Sequence, residues 1–117
     1  MIDIEALMDM VDGDADFVQS LITDFRSLAR EQLEALEEAA SEGAIGKAAR
    51  LAHSLKGGAA TVRARAVSDA AAAVETIVRD EGGEGLTEAI VALRERLDAL
   101  EAWIDEHAAD LLNRAQD

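Results

Sequence analysis

"LTEAIVALRERLDALEAWIDEHAADL", residues 86–111, decides the fold. Leu86, Ile90, Leu93, Leu97, Leu100, Ile104, His107 and Leu111 recur at alternating steps of four and three. A period of about 3.5 residues keeps one apolar seam facing one way along an α-helix, as the helices of a bundle require. Thr87 is the candidate N-cap, with Glu88 in the first turn. His107 sits on the seam and reads as a packing residue; Trp103 reads as packing or as a partly exposed anchor.

Working outward, "EGGEG" at residues 81–85 is a loop. Residues 65–80 place Val67, Ala70, Ala71, Val74, Ile77 and Val78 on one side of a helix, and residues 45–61 predict another. Phe17, Val18, Leu21, Ile22, Phe25, Leu28, Ala29, Leu33 and Leu36 outline a long amphipathic helix that ends near "SEGAIG". Before it, "VDGDAD" at residues 11–16 supplies a glycine break and aspartate N-cap candidates. Ile2, Leu7 and Met10 suit a short opening helix. The expected fold is all-α: an antiparallel up-down four-helix bundle with a short additional N-terminal helix, one domain over residues 1–117.

Composition agrees. The chain has 117 residues, no proline, no tyrosine and no cysteine, which suits helices and excludes disulfides and thiolate metal sites. The net charge of −14 argues against nucleic acid and anionic membranes as partners. It reads as a solubilising surface or as complementary to a basic-faced partner. No basic segment followed by an apolar core opens the chain, and no run approaches a membrane span, so a cytoplasmic location is expected. Met1 favours a free-standing chain.

Chemistry concentrates in "LAHSLKGGAATV", residues 51–62. Two adjacent glycines weaken a helix by about 1 kcal/mol each relative to alanine, so the surface must need the missing side chains. At 100° per residue, Ala48, Leu51, Ala52, Leu55, Ala59 and Val62 form the buried stripe. His53 projects roughly 150° from its centre and faces solvent. Its neighbours at helical spacing are Ala49, Arg50, Lys56 and Gly57, with Ala60 a turn further on. The small residues leave the imidazole standing above a flat surface. Arg50 and Lys56 add positive charge, and no carboxylate occupies these positions on the helix. A neutral imidazole is a good nucleophile near neutral pH, and adjacent cations favour a phosphoryl, which carries roughly −1.5 to −2 charges.

Ala52, His53, Leu55, Lys56 and Gly57 match the alanine-histidine-x-leucine-lysine-glycine run of the histidine phosphotransfer (HPt) family, which the chain resembles. The similarity extends to Ala64, Val67, "AVE" at residues 73–75 and the first-helix pattern at residues 13–25. Gly58 and Arg63 depart from the family's usual small residues. The resemblance implies that His53 accepts the phosphoryl, that Lys56 helps hold it and that Gly57 makes room for the partner; the helical neighbours Ala49, Arg50 and Ala60 complete the expected docking surface. The implied partners are receiver domains of response regulators or of a hybrid histidine kinase. They would bring Mg²⁺, and the chain would hold no cofactor or metal of its own. It would be a phosphotransfer intermediate rather than an independent kinase, since no glycine-rich ATP-binding loops are present. Two alternatives stand beside this reading: a non-catalytic helical adaptor with an incidental histidine, and the dimerisation and phosphoacceptor module of a histidine kinase. Four main helices in one chain favour a monomer.

Overall fold

The computed structural model describes residues 2–80 and 84–116. Every described element is an α-helix: α1 Ile4–Met10, α2 Ala15–Ser41, α3 Ile45–Thr61, α4 Arg65–Asp80 and α5 Leu86–Gln116. Asp3 and Asp14 cap α1 and α2, their carboxylates accepting the backbone N–H of Ala6 at 3.0 Å and of Phe17 at 3.1 Å. Thr87 does not cap α5, because the helix begins one residue earlier and Thr87 lies inside its first turn. Of the expected 81–85 loop, residues 81–83 lie outside the described residues.

The connections are short because the helix ends turn sharply. After α2, Gly43 takes a left-handed φ of 71° and the Ala44 N–H donates to Ala39 O at 2.8 Å. The same motif ends α3, where the Ala64 N–H donates to Ala59 O at 2.8 Å. There the left-handed position is Arg63, with φ 60°. A Cβ at that position is strained.

α2 packs on α3 and α5, α4 packs on α3 and α5, and α1 rests on α2. Leu33, Leu36, Leu55, Leu93, Leu97 and Leu100 are sealed in the core between them. Each contributes about 2 kcal/mol by leaving water. The seam expected in α5 is buried from Leu86 through Ile104; His107 is half-buried and stacked on Trp103, with ring centroids 4.3 Å apart. Leu111 falls among residues whose side chains lie outside the described set.

Two residues of the expected α2 stripe are corrected. Phe17 and Leu28 are 50 % and 52 % exposed. The buried line runs through Val18, Ile22, Phe25, Ala29, Leu33 and Leu36, and at 100° per residue the other two sit roughly 100° off its centre. Three-and-four counting admits them; the actual neighbours of α2 do not cover them.

Ion pairs fix the register of α2 against α5. Arg26 meets Asp105 at 2.6 Å, Arg30 meets Asp98 at 2.8 Å as well as Glu101, and Glu37 meets Arg94. The rungs climb α2 as they descend α5. Being largely solvated, each adds little stability, so their main effect is on alignment. Among the described residues, no helix is long and apolar enough to cross a membrane.

Candidate functional site

α3 and α4 build the site together. Ala48, Ala52, Leu55 and Ala59 bury one face of α3, which turns His53 outward, its side chain 64 % exposed. Lys56, one turn along the same face, is half-buried. Gly57 has open space where a Cβ would project. Arg50 and Ala60 are exposed beside the imidazole, as the helical projection requires. Ala49 differs: at 8 % exposed it lies largely covered, so a docking partner would reach only its edge.

α4 adds the group that the local reading of α3 does not contain. Glu75 is the one buried charged side chain among the described residues, at 8 % exposed. Its Oε2 lies 2.9 Å from His53 Nδ1, and its Oε1 accepts a hydrogen bond from Lys56 Nζ at 2.8 Å. Arg79, one turn further along α4, approaches Oε2 at 3.2 Å. The expectation that the imidazole has no carboxylate beside it therefore holds only along its own helix. The sequence did carry a signal: Glu75 interrupts the apolar face of α4 between Val74 and Val78. A carboxylate there must find cationic partners on the neighbouring helix.

The hydrogen bond from Lys56 holds the Glu75 carboxyl below its ordinary range; burial opposes this, while the charge of Lys56 and the contact with His53 reinforce it. Glu75 is thus an ionised, acceptor-only partner, and the hydrogen between it and His53 must reside on Nδ1. In the neutral ring the lone pair then falls on Nε2, which has no hydrogen bond among the described residues. The carboxylate chooses the tautomer, and the tautomer leaves the ring's unprotonated nitrogen on the side open to solvent.

Gly58 faces away from this surface: a Cβ there would meet the Phe25 ring of α2 at 3.6 Å, an ordinary contact distance. His107 is engaged elsewhere, its Nδ1 2.8 Å from the Trp103 carbonyl. No group of three or more His, Asp or Glu among the described residues is placed to hold a metal ion.

A family model described as Hpt domain matches residues 20–103, well over half of the chain and all of the elements that carry His53, Lys56 and Glu75. Comparisons with curated proteins and with solved structures return no match. The chain belongs to the Hpt domain family, the histidine phosphotransfer modules that work with receiver domains in two-component phosphorelays.

Proposed function

We propose that this protein carries a phosphoryl group on His53, taking it from the aspartate of one receiver domain and giving it to the aspartate of another. One observation carries the reading: the imidazole is held at Nδ1 by Glu75 and open at Nε2. Nε2 attacks the phosphorus of an aspartyl phosphate, the N–P bond forms as the acyl P–O bond breaks, and the receiver's carboxylate leaves. The proton stays on Nδ1, so the ring gains positive charge, which the Glu75 carboxylate offsets. In the second transfer an incoming carboxylate attacks phosphorus and the N–P bond breaks. The leaving ring is already the neutral Nδ1–H tautomer and needs no further proton.

Lys56 pairs with Glu75 and lies one helical turn from His53, and its flexible ammonium would turn to the arriving phosphoryl. Gly57, Arg50, Ala60 and the edge of Ala49 form the docking surface. Mg²⁺ would come with the receivers, where it neutralises the phosphoryl oxygens.

The frame for this is an antiparallel up-down four-helix bundle, with α1 as the added short helix. The cyclic packing of α2, α3, α4 and α5 supports it, as do the short connections and the opposed climb of the α2–α5 ion pairs. The same closed packing supports a monomer built as one domain. A kinase dimerisation module would leave a seam for a second chain.

Replacing His53 by glutamine tests the reading. Labelling from a phosphorylated receiver should vanish while the melting temperature stays within about 2 °C, because the side chain is mostly in water and Lys56 and Arg79 still pair with Glu75. Labelling that persists would move the acceptor elsewhere.

A further inference from the structure

Charge is distributed unevenly over this molecule. Residues 43–68 contain none of the twenty-five acids but hold Lys47, Arg50, Lys56, Arg63 and Arg65, five of the eleven cations. At the C-terminal end of α3 the zone is bounded by acids, since Asp3, Glu5 and Asp69 line one cavity with Ala60, Arg63 and Arg65. The edge of α2 beside α3 presents Leu28 and Gln32, the latter donating to Ser54 Oγ at 2.7 Å. From α4 come Arg79 and the buried Glu75, whose charge Lys56 and Arg79 already take up. Lys47 and Arg50 are exposed and have no ion pair among the described residues. By contrast Arg26, Arg30 and Arg94, on the α2–α5 side, are each matched to carboxylates.

We propose that the α3 face selects its partner electrostatically: Lys47 and Arg50 steer in receiver domains whose phosphorylation face is acidic, although the protein as a whole is strongly acidic. This rests on the phosphorelay reading and names the kind of receiver that reading leaves open. A receiver that holds Mg²⁺ beside its aspartate lines that cleft with carboxylates, which is the complementary surface. The net charge of −14 does not oppose docking once the face is oriented. At physiological ionic strength the field falls off over about 8 Å, less than the roughly 10 Å width of one helix. The acids of α5 are therefore screened from a partner on α3, and the local cations dominate.

The test is rapid-quench transfer from two receiver domains charged with acetyl phosphate, one acidic-faced and one basic-faced in the rim around the carboxylate-lined cleft, at 50 and 500 mM NaCl. The acidic-faced receiver should transfer faster at low salt, with a second-order rate that falls about tenfold at high salt. Its single-turnover rate at saturation should not change. Lys47→Glu combined with Arg50→Glu should slow the low-salt second-order rate about tenfold and flatten the salt dependence. Lys47→Arg with Arg50→Lys, which keeps the charge, should restore both. Circular dichroism of each variant confirms that it is folded. A salt-independent wild-type rate, equal transfer from the basic-faced receiver, or a charge-reversed variant as fast as wild type overturns the proposal. Labelling of the wild type by phosphoramidate, a small donor that needs no docking, separates the two levels. If it fails to modify His53, the phosphorelay reading falls, and this inference with it.

Discussion

Glu75 and His53 lie on different helices, yet the carboxylate of one sits 2.9 Å from Nδ1 of the other and decides which ring nitrogen is free to react. The same carboxylate holds Lys56 at 2.8 Å. One buried acid thus positions both groups that would meet a phosphoryl.

Glu75→Gln should separate charge from shape. The amide oxygen can still accept from Nδ1, so the tautomer survives, but the offset for a positively charged ring is gone. Transfer should slow about tenfold, or about 1.4 kcal/mol in the barrier. Stability should fall by about 1–2 kcal/mol at pH 7. The folded carboxyl titrates below its ordinary value, so the folded state binds fewer protons than the unfolded chain in that window and stability rises with pH through it. The wild-type advantage should therefore be full at neutral pH and vanish as pH falls through the folded value. Urea titrations of both proteins at pH 7 and pH 3 measure this; equal differences at both would remove the charge from the explanation.

Lys56→Ala removes the largest support for the ionised carboxyl. The acid limb of the stability curve should move to higher pH, toward that of an ordinary glutamate. Labelling of His53 should continue, with a phosphohistidine lifetime shortened several-fold, because the ammonium supports the phosphoryl without attacking it. A lifetime and an acid limb that both match wild type would leave Lys56 with no role beyond its ion pair.

The two glycines should behave differently. Gly57→Gln places a side chain in open space on the docking face, so the helix should gain up to about 1 kcal/mol while receiver transfer slows. Gly58→Ala should gain a similar amount, about 1 kcal/mol, since its Cβ meets Phe25 at an ordinary distance, and transfer should stay near wild type. Melting temperature and transfer rate measured on both proteins decide the point. A Gly57 variant that is more stable and equally fast would end the steric argument.

Arg63→Gly should raise stability by about 1 kcal/mol by relieving the left-handed backbone after α3. Arg63→Ala should not, because it keeps the Cβ while losing the contact between the guanidinium and Met10 Sδ at 2.9 Å. Thermal melts of the pair check this; a gain shared by both would point to the guanidinium rather than the backbone.

The sequence by itself determined the helices and the outward face of His53, because both follow from periodicity within one segment. The bounds of α3 and α4 are those expected, Ile45–Thr61 and Arg65–Asp80. The apolar stripe of α3 alone turns the imidazole toward solvent. Tertiary structure decided what no single helix contains. It covered one side of α2 and left Phe17 and Leu28 in water, because only the helices that pack against α2 define its buried face. It also brought Glu75 from 22 residues away onto Nδ1. That contact depends on the register of α4 against α3, and the tautomer of His53 depends on the contact.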